Sequence, residues 1–288
     1  MSERKKKRST PPEAGKRGPH KHDARGVGRW RRIAPLLLVM LSVSLAIAAA
    51  LSAKAGWGLS SEPREPRAAI VDQLALTEPN PAFAEAATST LEQAGYAVDY
   101  YPGEQVTVEL YRQLPTHHYD LLVLRAHSGR FRTLDGNLTD LVSIFTNEPY
   151  DGTEYYPERA AGFVARARYF ETDPPSYFFA IRERFVELDM KGKFDGATVI
   201  IMGCDGLRSN VMAKAFVSRG ATAVIGWNTL VSAARTDEAT ERLLRHLVTD
   251  RLDVQQAVAS TMREVGPDPE NGSVLQVYPP EAAASTMR

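Results

Sequence analysis

The chain has 288 residues with 35 basic (Lys and Arg) and 35 acidic (Asp and Glu) side chains, so its formal net charge at pH 7 is zero. It contains a single cysteine, which excludes an internal disulfide. The zero total hides two segments of opposite charge. Residues 1–32 hold twelve basic and three acidic side chains (net +9), which leaves 23 basic and 32 acidic ones (net −9) for the rest.

An apolar segment follows the basic tail. Residues 33–53 contain no charged side chain, and a helix of this length spans about 31 Å, enough to cross the apolar core of a bilayer. The basic excess before the segment places that side in the cytoplasm. We therefore expect a cytoplasmic tail (residues 1–32), an uncleaved transmembrane signal anchor (33–53), a linker (54–66) and one extracytoplasmic domain (67–288).

The alternative for the apolar segment is a signal peptide that is removed, because Ala53-Lys54-Ala55 has the small-x-small form of a cleavage site. The basic region before it is too long for an ordinary signal peptide, which favours an anchor that stays attached. The basic residues are predicted to be a topology signal rather than a nucleic-acid-binding arm, so no nucleic-acid partner is expected.

The first half of the domain alternates strand and helix patterns. Short runs of aliphatic residues bounded by Gly, Pro or Asp predict strands, and apolar residues at helical spacing predict helices. The predicted order is strand 68–71, helix 81–94, strand 97–101, short helix 108–114 and strand 121–125. Strands that alternate with helices in this way predict a mostly parallel sheet flanked by helices, which is an α/β fold.

The second half of the domain continues the alternation after a long aromatic-rich section, residues 129–196. That section is predicted to build a substrate-binding wall and to contain a helix over residues 177–190. The elements predicted after it are strand 197–202, helix 209–219, strand 221–225, helices 236–248 and 253–265, and a short strand 273–277.

Two of these strands each end on a reactive side chain. Strand 121–125 runs into the sequence AHSG, whose second residue is His127, and strand 197–202 runs into GCDG, whose second residue is Cys204. In parallel sheets, functional groups lie just past the carboxyl ends of the strands, and neighbouring strands are about 4.8 Å apart. We therefore expect the imidazole and the thiol on one rim of the sheet, the arrangement of a thiol nucleophile and a histidine base.

These residues suit acyl transfer. The thiolate of Cys204 is the candidate nucleophile, and His127 takes the thiol proton and later delivers it to a leaving amine. The backbone N–H groups of Cys204 and Ser128 are the candidate donors to the oxyanion, with Gly129 and Gly203 allowing tight turns. The alternative is a buried structural cysteine and an unrelated histidine.

The two motifs resemble those of the caspase-like (clan CD) cysteine peptidases, which include caspases, legumain, clostripain and gingipains. The family pattern is an apolar strand followed by His-Gly and a second one followed by Ala-Cys or Gly-Cys. Here GCDG and the later sequence AVIGW look closest to gingipain-like members. The resemblance implies a caspase–hemoglobinase-like fold, with His127 as base and Cys204 as nucleophile. Where the family usually has Gly after the histidine, this chain has Ser128, which still offers an amide.

Other candidates carry weaker signals. Asp205 either orients a substrate amine or begins a turn, and Trp227 either lines a specificity pocket or packs at the rim or in the core. His117 and His118 lack partners at zinc-binding spacing, and the Asp- and Asn-containing stretch 133–140 is typical of a turn. No metal or cofactor is therefore expected.

The sequence favours a membrane-anchored, extracytoplasmic cysteine endopeptidase that acts on peptide or protein substrates. The net charge of −9 outside the basic tail points to basic substrates. Two alternatives are a catalytically inactive caspase-like module that binds a partner or acts as a sensor, and a structural domain without peptidase activity.

Overall fold

The computed structural model describes residues 64–133, 135–169 and 176–281. The chain divides into two units, Met1–Glu62 and Pro63–Arg288, and all described residues belong to the second. The predicted cytoplasmic tail and transmembrane helix lie outside the described residues. In the described part of the chain, no helix is long and apolar enough to cross a membrane.

The strands of the described ranges form two sheets. They are β1 (Arg67–Asp72), β2 (Ala97–Pro102), β3 (Leu121–Arg125), β4 (Ser128–Arg132), β5 (Leu138–Pro149), β6 (Val164–Arg168), β7 (Tyr177–Ile181), β8 (Thr198–Ile201), β9 (Ala223–Trp227) and β10 (Leu275–Tyr278). The larger sheet has the order β10-β9-β8-β3-β1-β2, and all its pairs are parallel except β9 with β10. This order confirms the predicted mostly parallel sheet of an α/β fold.

Helices flank the sheets. The α-helices of the described ranges are α1 (Pro81–Gln93), α2 (Val108–Gln113), α3 (Tyr156–Ala160), α4 (Glu183–Leu188), α5 (Val211–Ser218), α6 (Ala233–Leu244) and α7 (Val254–Val265). Helix α1 begins after Asn80, whose side chain accepts a hydrogen bond from the Phe83 N–H at 3.1 Å. Pro81 fits the first turn because a helix leaves that N–H unpaired in any case. Helix α6 continues into a π-helical turn, Arg245–Thr249.

The central strands β1, β3, β8 and β9 of the larger sheet are buried on both faces, as their continuous aliphatic runs predict. Alternate residues of β1 point to opposite faces, so Ile70 joins a cluster with Phe83, whereas Val71 joins a cluster with Phe185. Helices α1, α6 and α7 contribute to the first cluster, and α2, α4 and α5 contribute to the second. The helices on both faces fix the parallel strands, and therefore the positions of the residues that follow them.

The aromatic-rich section forms the second sheet, which is antiparallel with the order β4-β5-β7-β6. The helix predicted over residues 177–190 is present only as α4, because the residues before it form β7 between β5 and β6. The sequence of β7, Tyr-Phe-Phe-Ala-Ile, is rich in residues that favour strands, and two neighbouring strands satisfy its backbone. Strand β4 begins directly after His127, so the second sheet starts at the predicted site.

A fully buried arginine ends β3 at the carboxyl edge of the larger sheet. The Arg125 guanidinium donates from Nε and Nη2 to Asp237 on α6 at 2.7 and 2.8 Å. It also donates from Nη1 to Asp72, the last residue of β1, at 2.7 Å. No side chain of this triad is more than 5% exposed. Because an unpaired charge at this depth is costly, the triad holds β1, β3 and α6 together.

Replacing Arg125 with leucine should destabilise the domain strongly, because Asp72 and Asp237 would then be buried without their partner. We expect the free energy of unfolding to fall by about 3–5 kcal/mol, measured by urea denaturation. The control is Arg64→Ala, which removes a half-exposed ion pair with Asp120 and should cost at most about 1 kcal/mol. Similar losses in the two variants would contradict this role of Arg125.

Candidate active site

The two predicted reactive residues follow neighbouring strands. Strands β3 and β8 are parallel, with Leu124 opposite Ile201, which confirms the predicted pairing. His127 lies two residues beyond the end of β3, and Cys204 lies three residues beyond the end of β8. Both residues line one groove of about 1160 Å³.

The side chain of His127 is partly buried and has contacts on several sides. Its Nε2 lies 3.1 Å from Thr77 Oγ1, and its ring centroid lies 4.8 Å from that of Tyr169. Burial lowers the pKa of His127 to about 4, and the positive charge of Arg125 adds to the decrease. The imidazole is therefore neutral at pH 7 and able to accept a proton.

Gln73 organises the surroundings of the histidine. Its Oε1 accepts the His127 backbone N–H at 2.8 Å, and its Nε2 donates to Asn147 Oδ1 at 2.6 Å. The same Nε2 donates to the Tyr169 hydroxyl at 2.5 Å. The sequence motifs did not point to Gln73, Asn147 or Tyr169. Gln73 directly follows β1, the neighbour of β3. The expectation that functional groups lie just past the carboxyl ends of parallel strands, applied to β1, would therefore have indicated Gln73. No sequence pattern indicates Tyr169.

Cys204 is partly buried in the turn after β8. Its thiol donates to the carbonyl oxygen of Val231 at 3.6 Å. Burial raises the pKa of the thiol, and the negative charge of Asp205 adds to the increase. Within the described ranges, the Cys204 N–H donates to no other residue, and no hydrogen bond joins the thiol to the imidazole of His127. The N–H is thus a candidate donor to an oxyanion.

Ser128 and Gly203 bring the two strand ends close together. The Ser128 hydroxyl donates to the Cys204 carbonyl oxygen at 2.5 Å. A methyl group on Gly203 would overlap both Ser128 Oγ and the Ala126 carbonyl oxygen. Only glycine allows this approach at position 203, and the side chain of Ser128 ties the two strand ends together. The sequence pointed to the Ser128 amide and not to this role of its hydroxyl.

The remaining predicted site residues lie in different places. Asp205 lines the groove in a left-handed turn (φ 58°), is almost fully buried and lies 3.5 Å from Arg208. Gly129 lines the groove near the start of β4. Trp227 is fully buried in the core, and its Nε1 donates to Thr236 Oγ1 at 2.9 Å. The structure therefore places Trp227 in the core and outside the groove lining, because its indole points to the layer that contains α6.

The histidines considered for zinc have partners of other kinds. His117 stacks on Tyr119 with ring centroids 5.6 Å apart, and His118 pairs with Asp195 at 2.8 Å. Across residues 64–133, 135–169 and 176–281, no group of three or more His, Cys, Asp or Glu side chains is arranged to hold a metal ion.

Similarity to known proteins is found among solved structures. No protein-family model matches the chain, and no curated protein matches it. Among solved structures, the chain is similar to the crystal structure of the Arg-specific cysteine proteinase gingipain R, with a TM-score of 0.42 and 13% sequence identity. The match covers 74% of this chain and 46% of that one, so the chain spans less than half of its length. A likeness of this size assigns neither a family nor an activity.

Gly203→Ala should disturb the approach of the two strand ends, because the added methyl group must push away Ser128 and the Ala126 carbonyl. We expect the free energy of unfolding to fall by about 1–3 kcal/mol in urea denaturation. The matched control is Gly152→Ala, where an added methyl group meets no atom within 4 Å, and we expect a change within about 0.5 kcal/mol. Equal stability of the two variants would show that the strand ends are not in close contact.

The lowered pKa of His127 predicts a loss of stability in acid. The unfolded chain protonates this histidine near its ordinary pKa of 6.5, but the folded chain does so only near 4. The stabilising contribution of neutral His127 is therefore complete above pH 6.5 and declines as the pH falls toward 4. We expect the unfolding free energy of the wild type to fall relative to that of His127→Gln as the pH decreases over this interval. A difference that is independent of pH would contradict the burial of the imidazole.

Proposed function

We propose that the chain is a cysteine peptidase in which Cys204 attacks the substrate carbonyl and His127 is the base. One observation carries the proposal: both residues follow adjacent parallel strands and line the same groove. The two sequence motifs support the same chemistry, because they resemble the His and Cys motifs of caspase-like peptidases.

The electrostatics of the site support proton transfer during the attack rather than before it. The pKa of the thiol is raised and that of the imidazole is lowered, so the resting pair is neutral. As the Cys204 Sγ bonds to the carbonyl carbon, the thiol proton moves to His127, which then delivers it to the leaving amine as the C–N bond breaks. Water hydrolyses the resulting thioester and returns a proton to the thiol.

The hydrogen bonds of the site suggest which atoms take part. Thr77 lies at hydrogen-bond distance from Nε2 of His127, whereas Nδ1 has no hydrogen-bond partner among the described residues. We therefore assign the thiol proton to Nδ1. The N–H of Cys204, which donates to no other described residue, is the donor that we assign to the oxyanion, since preorganised backbone donors stabilise the charge that develops there.

We further propose that residues 33–53 anchor the peptidase in the cell membrane, with residues 1–32 in the cytoplasm and the domain outside it. The support comes from the sequence: the segment is free of charge over a length that spans a bilayer, and the residues before it carry a net charge of +9.

A second candidate function is a binding module without catalysis. It is favoured by the raised pKa of the Cys204 thiol and by the contact of that thiol with the Val231 carbonyl rather than with the imidazole. In this case the groove would bind peptides that are never cleaved.

Cleavage of a fluorogenic peptide library by the full-length protein in detergent micelles tests the proposal. We expect wild-type cleavage, and we expect Cys204→Ala and His127→Ala each to lower kcat/KM by about 10³-fold or more. The double variant should lose little beyond either single one, because nucleophile and base act as a unit. Urea unfolding of each variant checks that the fold is retained. A wild-type protein that binds library peptides and cleaves none would establish the binding module instead.

A further inference from the structure

The groove that holds the candidate dyad is lined by many basic side chains. Among the described residues, they lie at alternate positions of β4 and β6 and in the turn after Cys204: Arg130, Arg132, Arg166, Arg168 and Arg208. Two acidic residues, Glu78 and Asp205, line the same groove, and burial raises the pKa of Asp205. The described lining is therefore positively charged, although the residues outside the basic tail carry a net charge of −9.

Two of these guanidinium groups have no carboxylate partner in the described part of the chain. Arg166 lies over the ring of Tyr177, 4.6 Å from its centroid, and near the ring of Tyr150 at 5.7 Å. Arg132 donates to the backbone carbonyl oxygen of Gly136. Such contacts orient a guanidinium group, but they leave its positive charge available to a carboxylate ligand.

Two other groove arginines have longer ion pairs. Arg130 and Arg208 share the carboxylate of Asp140 at 3.6 and 3.4 Å, and that side chain is 70% exposed. Arg208 also lies 3.5 Å from the carboxylate of Asp205, which lines the same groove. Exposed pairs at these distances contribute little, whereas a ligand carboxylate can form bidentate hydrogen bonds of about 2.7–2.9 Å with an arginine. Aromatic side chains such as Phe131 and Phe145 line the groove beside the arginines and offer apolar surface to a peptide.

Building on the peptidase function proposed above, we propose that this groove binds acidic peptide segments and that cleavage occurs next to Asp or Glu side chains. The groove volume of about 1160 Å³ lies above the usual range for small-ligand pockets, about 300–1,000 Å³, so the groove can hold several residues of a peptide. The proposal reverses the expectation of basic substrates from the net charge, because local charge within a cleft guides a ligand more strongly than the total does.

The test uses full-length protein in detergent micelles and three fluorogenic peptides that differ only in whether Glu, Gln or Lys flanks the scissile bond. We expect kcat/KM for the Glu peptide to exceed that for the Gln peptide by about tenfold and that for the Lys peptide by more. Raising the ionic strength should shrink these ratios. Equal or better cleavage of the Lys peptide would overturn the proposal.

Variants of the groove arginines identify the groups that produce the preference for the Glu peptide. Arg132→Gln and Arg166→Gln together should reduce the Glu-to-Gln ratio to within about twofold, because both unpaired guanidinium groups are removed. The control is Arg263→Gln, an exposed arginine on α7 outside the groove lining, which should keep the wild-type ratio. An unchanged ratio in the double groove variant would contradict the proposal.

Binding to Cys204→Ala separates this proposal from the peptidase function. Fluorescence anisotropy with labelled Glu, Gln and Lys peptides should give the lowest Kd for the Glu peptide, and Arg132→Gln with Arg166→Gln should remove that preference. If no peptide is cleaved by the wild type but this preference is found, the peptidase function fails and the acidic ligand class stands. If the wild type cleaves peptides without regard to charge and the preference is absent, the peptidase stands and the acidic ligand class fails.

Discussion

The buried ion triad of Arg125, Asp72 and Asp237 is the interaction on which the site depends. It joins the ends of β1 and β3 to α6 at the edge of the larger sheet, and His127 follows Arg125 by two residues. The triad also connects fold and chemistry, because the charge of Arg125 adds to burial in lowering the pKa of His127. Loss of the guanidinium would therefore disturb both the position and the basicity of the imidazole.

Burial has opposite consequences for the two members of the candidate dyad. It lowers the pKa of the imidazole and raises that of the thiol, so each group favours its neutral form in the resting protein. On the proposed mechanism, charge develops only when a substrate occupies the groove and the proton moves. The arginines on β4 and β6 would neutralise an acidic substrate in that groove, so the second sheet would determine which peptide reaches Cys204.

The sequence predicted the larger sheet because runs of aliphatic residues on β3 and β8 are typical of strands buried on both faces, and their shared carboxyl edge placed His127 and Cys204 together. It did not predict β7, whose strand form depends on pairing with β5 and β6 on either side. The Ser128 hydroxyl bond likewise joins residues far apart in the chain. The net charge of −9 did not reveal the arginines that line the groove in the described part of the chain, because the arginines of β4 and β6 face one cavity only after folding.

The pKa of His127, followed by NMR titration in two chemically modified proteins, tests most directly whether the imidazole and Cys204 share one site. Cys204 is the only cysteine, so iodoacetate adds a single carboxylate at that position and iodoacetamide adds a neutral group of similar size. His127→Gln identifies the histidine resonance. The account predicts a pKa about 1 unit or more higher in the carboxymethylated protein than in the carbamidomethylated one, because a carboxylate within a few ångströms favours the imidazolium. Identical pKa values in the two proteins would contradict it.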